Sequence, residues 1–119
     1  MNRPVLSSEK LSPEVAAYIA SYHQKTVNEV ANTVAAKKIV VVGMGLNPYV
    51  KKARAALTEA GVDFKYLEYG NYFSLWKPRL AIKMWSGWPT FPQVFVDGKL
   101  IGGYQELISA LKAGAITLR

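Results

Sequence analysis

Few side chains in this sequence could carry chemistry, and the missing residue types narrow the choice further. The 119 residues contain no cysteine and a single histidine, His23. Thiol-disulfide exchange needs a protein thiolate as attacking or leaving group, and no other side chain here can substitute for it. One histidine without a second histidine or a cysteine does not make a metal site, so His23 reads as a solvent-facing helix residue and no metal is expected. What remains is hydrogen bonding and charge. Asn47-Pro48-Tyr49-Val50 reads as the start of a helix, with Asn47 as N-cap and Pro48 at the first helical position. The unpaired N–H groups and the dipole at such a terminus would lower the pKa of a thiol and make it a nucleophile. An asparagine satisfies those N–H groups with its own side-chain oxygen, which makes the position structural.

The second stretch of interest runs from Ser86 to Gly103. Two prolines around Thr90-Phe91 forbid helix, because each biases the residue before it toward extended geometry and removes a backbone donor. A hairpin follows: strands Gln93 to Val96 and Lys99 to Ile101, joined by Asp97-Gly98, a pair suited to a turn with positive φ at both positions. Gly102-Gly103 ends it. Thr-Phe-Pro, a strand, Asp-Gly, a second strand and Gly-Gly together resemble the substrate-binding half of glutaredoxins. The Trp-Pro-Thr-Phe-Pro-Gln wording is most similar to the monothiol branch.

That resemblance implies roles for particular residues. The proline matching Pro92 is cis in the family, and the backbone of the residue before it, here Phe91 after Thr90, pairs with a bound peptide; taken by itself, Pro92 reads equally as a loop proline at a strand entry. Dithiol members carry Cys-Pro-Tyr-Cys where this chain has Asn47, Pro48, Tyr49 and Val50, so both cysteines are replaced. The family lysine three residues before the first cysteine is Met44 here, which weakens anion binding at that corner. Arg79 falls where the monothiol pattern has an arginine that meets the glycine carboxylate of glutathione, a task that suits a guanidinium; a solvated helix charge is the other reading. Lys83, one turn later, adds positive field or solvates the face. The residues after Gly102-Gly103 supply a backbone N–H and an Asp carboxylate to the γ-glutamyl end of glutathione in relatives; here they are Tyr104 and the uncharged Gln105, with Glu106 next. The resemblance thus implies a ligand groove of Asn47, Tyr49, Arg79, Thr90, Phe91, Pro92, Gly103, Tyr104 and Gln105. It implies no catalytic residue.

Several elements must position these residues. Residues 1–11 are polar and expected to be loosely ordered. Ser12-Pro13 starts a long amphipathic helix to about Ala36, its apolar positions Val15, Ile19, Tyr22, Val27, Val30 and Val34 recurring at helical spacing. Residues 37–119 form the glutaredoxin-like domain. Ile39-Val40-Val41-Val42 is expected as a central strand buried on both faces. The helix from Asn47 ends at Gly61. A strand over Val62 to Tyr69 runs parallel to the first, because a helix connects them. A short helix runs from Lys77-Pro78 to Trp85 with Leu80, Met84 and Trp85 available to the core, and a last helix spans Tyr104 to Lys112. The expected fold class is α/β: a thioredoxin-like four-stranded mixed sheet flanked by helices, with an extra N-terminal helix.

Composition sets the outer limits. Half of the residues are hydrophobic, enough for one domain and too few for two. No apolar run approaches membrane-spanning length, and residues 1–11 lack the apolar core of a secretion signal, so a soluble cytoplasmic protein is expected, with no membrane partner. Fifteen Lys and Arg against eight Asp and Glu, net +7, favour an anionic partner. Lys51, Lys52 and Arg54 cluster on one helix without an aromatic and basic strand pattern, so nucleic acid is not the expected ligand. Glutaredoxins are glutathione-dependent disulfide oxidoreductases, and the monothiol type holds a two-iron cluster through one protein cysteine per subunit plus glutathione. Without a thiolate, neither the enzymatic activity nor an iron-sulfur cluster or other cofactor is expected. The leading expectation is a redox-inactive protein that binds glutathione or another peptide-like anionic ligand. The alternative is a protein-interaction module with a vestigial groove, working through the N-terminal helix or through Tyr72, Phe73, Trp76 and Trp88.

Overall fold

The computed structural model describes residues 4–116. In chain order the elements are a 3-10 turn at Ser8–Lys10, then α1 (Pro13–Ser21), α2 (Gln24–Ala36), β1 (Ile39–Gly43), α3 (Pro48–Glu59), β2 (Lys65–Glu68), α4 (Trp76–Ser86), β3 (Gln93–Val96), β4 (Lys99–Gly102) and α5 (Tyr104–Lys112). The sheet order is β2-β1-β3-β4, with β1 and β2 parallel and the other two pairs antiparallel. This is the mixed four-stranded sheet expected from the strand-helix-strand and hairpin signals. Of the loosely ordered N-terminus expected over 1–11, residues 1–3 lie outside the described residues.

All five residues of β1 are buried, because helices cover both faces of the sheet. Alternation along the strand divides its side chains between two cores. Val40 and Val42 pack with Phe95, Val30 and Val34 of α2, and Ile82 of α4. Ile39 and Val41 pack with Val94, Ala53 and Leu57 of α3, and Leu107 of α5. The hairpin turn forms at Asp97 and Gly98, both with positive φ (52° and 80°). Lys99 pairs with Val96 there.

Three expectations need correction. The helix expected to run unbroken from Ser12 to Ala36 is two helices. It starts as anticipated, with the Ser12 hydroxyl capping the Val15 N–H, but breaks at His23, whose φ of 46° is left-handed. Only α2 reaches the core, through Val30 and Val34, whereas α1 buries no residue. The packing that decides the path of the chain therefore acts on one half of the apolar stripe alone. His23 is exposed, as expected, but sits at this junction with its ring edge-on to Tyr22. The second strand is shorter than Val62 to Tyr69, covering Lys65–Glu68. Finally, α4 faces the other way from the expected orientation. Its buried residues are Arg79, Ala81 and Ile82, while Leu80 and Met84 are exposed and Trp85, also partly exposed, packs its ring on Phe95. Two apolar stripes compete on this helix, and the β-branched Ile82 occupies the core position against α2 and the sheet.

Tyr69, just beyond β2, ties the sheet to α2 by donating its hydroxyl hydrogen bond to Glu29 Oε1. Burial, then the hydrogen bond to Glu29 and its negative charge, push the phenol well above its ordinary value near 10. Tyr66 is raised in the same direction, by burial and by Glu68. Above pH ~10 the unfolded chain loses these protons while the folded chain keeps them, so stability is full below that pH and falls as pH rises beyond it. Urea unfolding followed from pH 8 to 11 should show this alkaline loss, with a shallower slope in Tyr69→Phe. An unchanged slope would disprove the coupling.

Candidate functional site

The corner between β1 and α3 is built by local rules. Asn47 has extended backbone geometry, and its Oδ1 accepts from the N–H groups of Tyr49 (2.9 Å) and Val50 (3.2 Å). Pro48 follows at the first helical position, where no intrahelical N–H is required. With Oδ1 committed to two donors, Nδ2 must be the donating end of the amide, and it points to the carbonyl of Phe91 at 3.4 Å. Residues 44 positions apart are joined at this point.

The peptide bond between Phe91 and Pro92 is cis. Asn47 therefore does two things: it caps α3 and engages the backbone oxygen of the residue preceding the cis-proline. Val50 is 2% exposed and belongs to the core. A Cβ on Gly43 would lie 2.6 Å from a Val50 methyl group, so glycine at the end of β1 is what admits Val50.

Around this corner lies an open groove of about 540 Å³ lined by Asn47, Tyr49, Thr90, Phe91, Pro92, Gly103, Tyr104 and Gln105, together with Met44, Lys83, Trp88, Pro89 and Glu106. Its volume falls within the range of small-ligand sites, roughly 300–1,000 Å³. The rings of Tyr49 and Tyr104 meet in its lining, tilted by 47° with centroids 6.1 Å apart. Gly103 is closely approached: a Cβ there would meet Pro92 O at 3.3 Å and Trp88 Nε1 at 3.5 Å. The indole Nε1 of Trp88 is shielded and without a hydrogen-bond acceptor among the described residues. Glu106 uses Oε1 to accept from the Gly103 N–H (2.8 Å), closing the first turn of α5. One carboxylate oxygen is thereby committed to the fold rather than to a ligand ammonium.

Eight of the nine residues expected at the groove come together there, and Arg79 does not. Arg79 is 7% exposed, and its Nη1 donates to the carbonyls of Tyr69 (3.0 Å) and Ser74 (2.5 Å). Burial lowers its pKa from the ordinary arginine value, with an opposing contribution from Tyr72. A guanidinium whose Nη1 is turned inward to two backbone carbonyls pins the loop between β2 and α4. The cation that lines the groove is Lys83, whose Nζ lies 5.5 Å from the centroid of the Phe91 ring. The sequence carried a signal for this: Lys83 is one helical turn beyond Arg79, and the choice between them depends on which face of α4 is buried. Trp88, expected among exposed aromatics, is instead half-buried in the groove wall.

Comparison with known proteins agrees with this architecture. The glutaredoxin family model matches residues 48–101. A glutaredoxin-like protein of Dictyostelium discoideum is 49% identical over 115 residues, covering 97% of this chain and 92% of its own. The chain belongs to the glutaredoxin family. Glutaredoxin-C1 of Arabidopsis thaliana is 30% identical over 90 residues, covering 76% of this chain and 72% of its own length. Among solved structures, a buckwheat glutaredoxin-glutathione complex superimposes with a TM-score of 0.67 at 20% identity, over 79% of this chain and 86% of the buckwheat chain. Similarity at that level of identity establishes the thioredoxin-like fold. Within this glutaredoxin the corner occupied by Asn47 and Val50 offers no thiolate, and the chain as a whole contains none. Among the described residues no group of acidic, histidine or cysteine side chains is placed to hold a metal ion. No helix among them is long and apolar enough to cross a membrane.

Proposed function

We propose that this glutaredoxin-like protein is redox-inactive and binds glutathione or a peptide-like segment in its groove without thiol-disulfide exchange. The observation that carries this reading is the pairing of an open groove, with the Tyr49 and Tyr104 rings and Thr90-Phe91 along its walls, with Asn47 at the α3 terminus and no cysteine anywhere in the chain. An extended ligand would lie along Thr90-Phe91 as a one-residue strand addition. Lys83 supplies the cation for a ligand carboxylate, and the α5 N-terminus suits a second carboxylate. The uncharged Gln105 offers no counter-charge to a ligand ammonium, so affinity for glutathione is expected to be modest. The buckwheat neighbour known as a glutathione complex makes glutathione the first ligand to test.

The test is a titration of isotope-labelled protein with reduced and oxidised glutathione, following backbone amide shifts. Saturable shifts at Asn47, Phe91, Lys83 and Tyr104 are expected, with the sites weakening as salt rises. Absence of shifts up to millimolar ligand would remove this reading. Robust activity of the wild-type chain in a thiol-transfer assay would remove the claim of redox inactivity.

A further inference from the structure

Helix α4 exposes an apolar ridge that the groove does not use. Trp76, Leu80 and Met84 recur every fourth residue and are 60%, 39% and 49% exposed. At about 100° per residue they share one strip of the helix surface, roughly 80° wide and about 12 Å long. Their exposure is imposed by the fold, because Arg79, Ala81 and Ile82 anchor the opposite face in the core. The loop before α4 also exposes Tyr72 and Phe73, at 59% and 87%.

The backbone of this loop is fixed at both ends. The Asn71 side chain accepts from the Phe73 N–H at 2.8 Å, and Arg79 grips the Ser74 carbonyl. At the other end of α4, Met84 and Trp85 line a cavity of about 250 Å³ with Ile19, Tyr22, Val27 and Ala81, between α4 and the α1-α2 junction. A helical ridge of exposed apolar groups ending in a concavity can pack against the apolar face of a second amphipathic helix, ridge against groove.

Charge identifies the partner. Lys77 lies beside the ridge by the same helical spacing, while Lys83 on the far side is turned to the groove and the Phe91 ring. There is no acidic residue between Glu68 and Asp97, so α4 and its flanking loops carry positive charge only, on a chain of net +7. Glu29 of the adjacent α2 is turned to the Tyr69 hydroxyl. Like charge disfavours a second copy of this chain on that face, and the concave end suits a protruding side chain better than a flat lipid surface.

We infer that the α4 ridge, Trp76, Leu80 and Met84 flanked by Lys77, is a docking face for an acidic amphipathic helix of a partner protein. The assignment is independent of whether the groove binds glutathione.

A display library of random peptides panned against the full-length protein tests it. Enriched peptides should carry apolar residues at i and i+4 with Asp or Glu beside them. Synthetic versions should lose affinity at least ~10-fold on Leu80→Glu, which alters an exposed position, with folding checked by the amide spectrum. Their binding should weaken several-fold between low and high salt. It should be unaffected by Gln105→Ala in the groove. Failure to enrich any peptide, enrichment without acidic bias, or binding sensitive to Gln105→Ala and indifferent to Leu80→Glu would each overturn the proposal. So would Leu80-dependent sedimentation with phosphatidylserine vesicles, or Leu80-dependent dimerisation in the ultracentrifuge.

Discussion

Asn47→Cys is expected to give this cysteine-free chain measurable glutathione-dependent exchange. The cysteine would stand at the N-cap of α3, facing the N–H groups of Tyr49 and Val50 that Asn47 Oδ1 now occupies. Those donors and the helix dipole stabilise a thiolate, so its pKa should fall by about one unit or more from the ordinary ~8.5. The thiolate then attacks a mixed disulfide with glutathione, forming a protein-glutathione disulfide and expelling the other thiolate. A second glutathione releases the protein thiol and leaves as oxidised glutathione. Met44 in the family's lysine position limits the gain, because one stabilising cation is missing. Loss of the asparagine cap should cost about 1 kcal/mol of stability, and the bond to the Phe91 carbonyl disappears with it.

The pH dependence of alkylation measures the thiol pKa, and a coupled disulfide-reduction assay measures turnover. Activity well above the wild-type background with a lowered pKa is the expected result. An unshifted thiol without turnover would mean that the corner has lost the electrostatics of a thiol site as well as the thiol. Val50→Cys should stay inert to alkylation in the folded protein, because that side chain is 2% exposed and packed against Gly43.

The second large effect concerns Arg79. Replacing it by Met should lower unfolding free energy by about 3 kcal/mol, since two carbonyls, of Tyr69 and Ser74, lose a charged donor in a buried setting. Arg79→Lys should recover only part of this, because a more strongly hydrated ammonium on a shorter stem must replace Nη1 between the two carbonyls. Urea unfolding gives the stability change, and amide spectra should show the disturbance concentrated in the loop between β2 and α4. Glutathione affinity of the folded fraction should change by no more than about twofold, whereas removal of a direct carboxylate clamp would cost tenfold or more. Lys83→Ala is the complementary variant: affinity should fall with little loss of stability. The reverse pattern would return Arg79 to the groove.

Much of the site was legible because it obeys local rules. Asn47-Pro48 reads as a cap and first turn since the N-terminal donors of a helix must be satisfied within three residues. Asp97-Gly98 reads as a hairpin turn since few residue pairs tolerate positive φ at both positions. The run Ile39 to Val42 reads as a buried strand from composition alone. Absence of cysteine is decisive at any level of structure, because no fold can supply a thiolate that the chain does not contain.

Tertiary structure decided the rest. On α4 the sequence offers two apolar stripes, and only the packing of Ile82 and Ala81 against α2 and the sheet selects the buried one. That choice turns Arg79 inward, Lys83 to the groove, and Trp76, Leu80 and Met84 to solvent. The break at His23 likewise follows from where α2 must dock, since α1 and α2 carry one continuous helical pattern. The bond from Asn47 to the Phe91 carbonyl spans 44 residues. Residue types and spacing report what a segment can satisfy by itself; which face is buried, and which distant carbonyl receives a donor, depend on the free energy of the whole packed chain.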